Sequence, residues 1–150
     1  MKEDPYSFIS NWSVNFMKHK DLASKKIKNI VKEGKDKIIF ECADNKKVYL
    51  VCPFLNEKEE IAKELNKNDS ITIVTLNDLE NLNFLIKNWD SLRRIENLSL
   101  IFINPYSKLD TRWFIKPYLH HKICDECSLE AGLKSLFESV EPIDRQTFKN

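Results

Sequence analysis

Glycine is almost missing from this chain. Two glycines and five prolines in 150 residues leave little material for a flexible linker or a low-complexity tail. No GxGxxG or GxxxxGK[ST] loop exists, so a backbone cradle for nucleotide phosphates of those kinds is excluded. Long apolar runs are lacking too. The longest, Leu100 to Ile103 within LSLIFINP, is far too short to span a bilayer. The opening residues, MKEDPYSFIS, hold two acids and no apolar core of signal-peptide length, so no secretion signal is read there. The four cysteines then read as reduced thiols in a cytoplasmic protein.

Charge of one sign is also lacking. A formal net charge of +1 provides no global electrostatic case for nucleic acid or a membrane. The apolar fraction of 42% and charged fraction of 31% fit an ordinary globular protein, and the length fits one domain over residues 1–150. Local charge is less even. Lys18 to Lys37 carries eight lysines against Asp21, Glu33 and Asp36, a pattern that also suits a solvated face with guarded strand edges.

Periodicity supplies the elements. Phe8 or Ile9, Trp12 and Phe16 recur at helical spacing behind Pro5, which suits a helix start. EGKD and ADNKK punctuate β-branched runs and predict a three-strand meander over about 26–32, 37–43 and 47–53; a helix over 22–32 competes for the first strand. Asn56 and Glu59 predict a cap for a short helix carrying Ile61 and Leu65. SITIVTL (70–76) and LSLIFINP (98–105) read as central strands, buried on both faces. Between them, Asn77 with Glu80 predicts a cap for a helix burying Leu79, Leu82, Leu85, Ile86, Trp89 and Leu92. A last amphipathic helix follows Ser128, on Leu129, Leu133, Leu136, Phe137 and Val140. The expected fold is α/β: a three-layer α/β/α arrangement with a mixed sheet of about five strands in the order α-βββ-α-β-α-β-α.

Helix, three-strand meander, helix and strand, in that order, resembles the restriction-endonuclease-like (PD-(D/E)xK) nuclease fold. The resemblance implies an acid near the start of the second strand and a (D/E)-x-K on the third, which together hold a catalytic divalent metal. Asp36 matches the first acid. The third strand, KVYLVCP, has no carboxylate, and the ECA of Glu41 to Ala43 lacks the lysine. The resemblance therefore implies a relative without the nuclease chemistry.

One short stretch has metal-ligand spacing. In HHKICDEC, His120, His121, Cys124 and Cys127 offer imidazole nitrogen and thiolate sulfur, the donors that zinc favours, and C-x2-C brings two sulfurs to one ion. Zinc ribbons add a second ligand pair 12 to 20 residues away, and none follows. A redox use is disfavoured because Asp125 and Glu126 sit between the thiols. The same cysteines also read as small apolar residues at a helix start.

A second stretch mixes cations with flat rings. NPYSKLDTRWFIKPYLHHK (104–122) follows a central strand and reads as an irregular loop. Arg112, Trp113, Lys116, Tyr118 and Lys122 are the combination that grips single-stranded nucleic acid by charge and stacking. The rings could equally seal the core while the cations stay wet. Three functions follow as expectations. The first is a non-catalytic module contacting nucleic acid or a protein partner through this loop and the lysine-rich meander. The second is a metal-dependent hydrolase or zinc-stabilised domain. The third is an oligomerising subunit that buries Trp12 or Trp113.

Overall fold

The computed structural model describes residues 4–57, 70–107, 112–123 and 126–144. The first helix, α1 (Pro5–Lys20), begins where the Asp4 carboxylate accepts the Tyr6 N–H at 3.1 Å, and Pro5 needs no N–H partner in that turn. Lys18, His19 and Lys20 occupy its last turn, where positive charge complements the helix dipole. Its buried line is Ile9, Ser13 and Met17, each four residues from the next and therefore stacked along one face. Ser13 is small enough to approach the sheet closely, and its hydroxyl donates to the Ile9 carbonyl at 2.8 Å. The expected stripe through Trp12 and Phe16 is thus rotated: both rings lie half-buried on the shoulder of the helix.

The meander forms as strands. β1 (Ile27–Glu33), β2 (Lys37–Cys42) and β3 (Lys46–Val51) pair antiparallel, so the alternative helix over 22–32 is not formed. Gly34 takes a positive φ of 68° in the first hairpin, where a Cβ would be strained. β4 (Ser70–Leu76) and β5 (Leu98–Ile103) run parallel to β3. A sixth strand, β6 (Arg112–Ile115), pairs antiparallel with β5. Spatial order follows chain order from β1 to β6. Six strands therefore stand where about five are expected, because the stretch read as an irregular loop supplies β6 and then the helix α4 (Pro117–Ile123). The short helix expected after Asn56 falls at 58–69, outside the described residues.

The helix after β4 differs in detail. Its cap is Asp78, whose carboxylate accepts the Asn81 N–H at 2.8 Å; Asn77 is engaged elsewhere. Asn88 divides the expected helix into α2 (Leu79–Lys87) and α3 (Trp89–Leu92), with its own amide donating back to the Phe84 carbonyl at 2.9 Å. Leu79 points to solvent. The last helix is α5 (Leu129–Glu138), and Ser128 makes no side-chain cap bond.

Strand alternation divides the apolar residues between two cores. On β5, Leu98, Leu100 and Phe102 join the core that holds α2, α3 and α5. Ile101 and Ile103 face the other way and join the core under α1. Tyr49 pins that helix down. Burial pushes its hydroxyl up to about 12, so it stays protonated and donates to the Met17 sulfur at 3.0 Å. Among the described residues no helix is long and apolar enough to cross a membrane.

Asn81 is the polar centre of the other core. Its Oδ1 accepts the Leu55 N–H at 2.9 Å, and its amide donates to Pro53 O, Thr75 Oγ1 and Leu76 O at 2.8–2.9 Å. The side chain is fully buried, and a buried group stripped of its partner costs about 1–3 kcal/mol. Asn81→Ala is expected to lower stability by about 3 kcal/mol, read as a reduced urea midpoint; an unchanged midpoint would show that the Pro53–Leu55 turn is held by other groups.

Candidate functional site

β6 sorts the sequence-predicted residues by alternation. Trp113 turns inward and is only 3% exposed. Its ring stacks on Phe102 at 4.1 Å with planes 10° apart. Its Nε1–H donates to Asn77 Oδ1 at 2.7 Å, and the Asn77 amide donates in turn to the Phe137 and Val140 carbonyls at 3.1 and 3.0 Å. Trp113 is thus a core residue within the single chain, already buried without a partner. Arg112 and Phe114, its neighbours in sequence, must project from the opposite face of the strand.

That face is the one covered by α1. Trp12, Asn15, Phe16, His19 and Lys20 of the helix and Arg112 and Phe114 of β6 line a groove of about 690 Å³. Trp12 stacks on Phe16 at 4.9 Å, with planes 9° apart. Phe16 meets Phe114 at 5.9 Å. The Arg112 guanidinium lies over both rings, 4.8 Å from Phe16 and 5.6 Å from Phe114, and the Lys20 ammonium lies 5.8 Å over Phe16. Among the described residues neither cation has an ion-pair partner. A guanidinium over aromatic rings keeps its N–H donors in a planar fork, a geometry that matches a phosphate. Phe114 is 48% exposed, so the groove presents open ring surface beside two cations that form no ion pair among the described residues. Helical spacing assigns Phe16 to the core and Trp12 to the core or an oligomer interface, so neither reads from the sequence as lining a groove. The signal that separates them is Ser13, the small residue on which the true contact line is centred.

The remaining candidates follow β6 and do not line the groove. Lys116 is exposed between β6 and α4. Along α4, the Lys122 ammonium donates to the Tyr118 hydroxyl at 2.8 Å and lies 4.1 Å from the centre of its ring. α4 packs against α3 and β5, away from the groove.

The two histidines of α4 share Trp89. His121 Nδ1 accepts the indole N–H at 3.3 Å, which places the imidazole proton on Nε2. His120 meets the Trp89 ring edge-on at 5.7 Å, and its Nε2 is buried without a hydrogen-bond partner among the described residues. Cys127 is exposed, and Cys124 lies outside the described residues. Among the described residues no group of three or more His, Cys, Asp or Glu side chains converges as a metal site. Of the meander cysteines, Cys52 is buried, with its thiol directed at the Phe54 carbonyl at 3.6 Å, and Cys42 is half-buried.

Open α/β sheets commonly bind ligands beyond the carboxyl ends of their strands. Here the C-terminal segment crosses that place and leaves a depression of about 560 Å³ with Asp78, Glu80 and Asp144 in its lining, acidic in character. Ile143 N–H donates to the Asn77 carbonyl at 2.9 Å, and Asn104 Nδ2 donates to the Glu141 carbonyl at 3.0 Å. The groove beside α1 differs in combining cations with open ring surface.

Burial holds the His120 imidazole below its usual value of 6.5. The unfolded chain therefore takes up a proton at this residue before the folded one does, and stability falls as pH drops below about 6.5. Thermal unfolding followed from pH 7 to pH 5 should show a falling Tm whose slope is reduced in His120→Phe. An equally steep fall in that variant would assign the effect to other groups. A comparison with protein-family models, curated proteins and solved structures finds no match.

Proposed function

We propose that this protein is a non-catalytic module that binds single-stranded nucleic acid through the groove between α1 and β6. The observation that carries the reading is Arg112, propped on Phe16 and Phe114 and free of acidic partners among the described residues. Its planar fork suits a backbone phosphate, while Trp12 and Phe114 offer flat surface to unstacked bases. A duplex hides its base faces in its own stack, so this pairing of ring and cation favours a single strand. A protein partner would be a weaker fit, since the groove's distinctive feature is positive charge beside open ring surface.

We infer further that the chain is a three-layer α/β/α domain of restriction-endonuclease-like topology, a reading supported by α1, the β1–β3 meander and a parallel β4. The nuclease chemistry has no place on it. The Asp36 carbonyl accepts the N–H of Val51 at 2.8 Å, so the third-strand residues beside this acid are Leu50, Val51 and Cys52, none of which binds a hard divalent cation.

Fluorescence anisotropy with a labelled oligothymidylate should show salt-dependent binding. Arg112→Ala is expected to weaken it about 10-fold and to reduce the salt slope by about 0.7, the value for one phosphate contact on a single strand. Phe114→Ala should weaken binding by a similar factor with the salt slope unchanged, as loss of one stacked base predicts. Full affinity in both variants would overturn the assignment of the groove.

A further inference from the structure

We propose that the strand held in the groove continues round the C-terminal end of α1 onto a second depression beside β1, and that Lys25 is fixed in a left-handed conformation to present its charge on that path. This rests on the nucleic-acid reading of the groove. The second depression, also about 690 Å³, is lined by Lys18, Asp21, Leu22, Lys25, Ile27 and Lys28 among others. It and the groove meet at the end of α1, where Lys20 lines the groove and Lys18 the second depression, both exposed in the last turn on opposite sides of the helix. Among the described residues the ammonium groups of Lys18, Lys25 and Lys28 form no ion pair or hydrogen bond. Asp21, the acid that lines this depression among the described residues, is tied into the turn. It accepts the N–H groups of Lys26 and Ile27 at 2.8 and 3.1 Å and the Ser24 hydroxyl at 3.1 Å, so its carboxylate is held by the backbone and forms no ion pair with Lys18, Lys25 or Lys28.

Lys25 is the telling position. Its N–H donates to the Asp21 carbonyl at 2.8 Å, and its φ of 50° is the one positive value at a non-glycine residue among those described. A chain leaving a helix through this conformation ordinarily uses glycine, which has no Cβ to strain. Guarding the edge of β1 does not explain the lysine, because Lys25 lies ahead of the strand. A flexible cation held against its backbone preference, in an exposed depression adjoining a charged groove, is strain of the kind that accompanies function.

The full chain is tested with labelled oligothymidylates of about 4 and about 12 nucleotides, lengths within the site sizes of single-strand-binding folds. The wild type should bind the longer one about 10-fold more tightly. Lys18→Ala/Lys25→Gly/Lys28→Ala should lose that advantage, with a salt slope reduced by about 2 for three lost phosphate contacts, yet bind the short oligonucleotide as before. Lys25→Gly alone should melt no lower than wild type, and up to about 3 °C higher, because glycine relieves the strain; a lower Tm would show that the lysine serves the fold, and would overturn its assigned role. Unchanged affinity of the triple variant for the longer strand, with Arg112→Ala still weakening both, overturns the path and leaves the groove standing. No effect of Arg112→Ala on either length overturns the groove reading itself. If the lysine changes abolish binding to phosphatidylserine vesicles without any dependence on oligonucleotide length, the belt belongs to a membrane surface and the path is wrong.

Discussion

Six strands about 4.8 Å apart make a sheet roughly 24 Å across, whereas one α-helix with its side chains is only about 10–12 Å wide. On the face that carries Tyr49, Val74 and Ile101, α1 is the one helix among the described residues. It lies over β3 and β4, so it covers the middle of the sheet and leaves open flanks toward β6 and β1. The opposite face holds α2, α3 and α5 and is closed more completely. The groove and the depression beside β1 are consequences of this mismatch in width. The residues along them decide their chemistry: rings and Arg112 on one flank, lysines on the other.

The site is exposed, but its placement is rigid. Trp113 is locked inward by stacking on Phe102 and by its hydrogen bond to Asn77. Strand alternation then obliges Arg112 and Phe114 to face α1, whatever the loop before them does. Asn77 also binds the end of α5 and, through its carbonyl, Ile143. One buried amide thus joins β4, β6 and the C-terminal segment, and draws that segment across the strand ends.

Much of this fold was legible in the sequence. SITIVTL became β4 with its bounds intact, because a β-branched run buried on both faces has few alternatives. The meander followed from EGKD and ADNKK, turn chemistry that local sequence carries by itself. β6 and α4 were not legible. RWFI is four residues long, and its pairing with β5 depends on a partner distant in sequence; its alternation of cation, ring, ring and aliphatic reads equally as a sticky loop. The candidate site was legible in part. Arg112 was found by its aromatic neighbours, but the ring it needs most, Phe16, comes from a helix whose contact face is set by Ser13. The division of the HHKICDEC histidines around Trp89 was likewise invisible, since tertiary packing brings that indole to them.

The central claim is that bases stack in the groove, and tryptophan emission reports on it directly. Trp89 and Trp113 are buried at 6% and 3% exposure, whereas Trp12 lines the groove. Titration with a single-stranded oligonucleotide should quench emission saturably, and Trp12→Phe should abolish the quenching while leaving the protein folded. Emission that does not change, or a quench that survives in Trp12→Phe, would contradict the account.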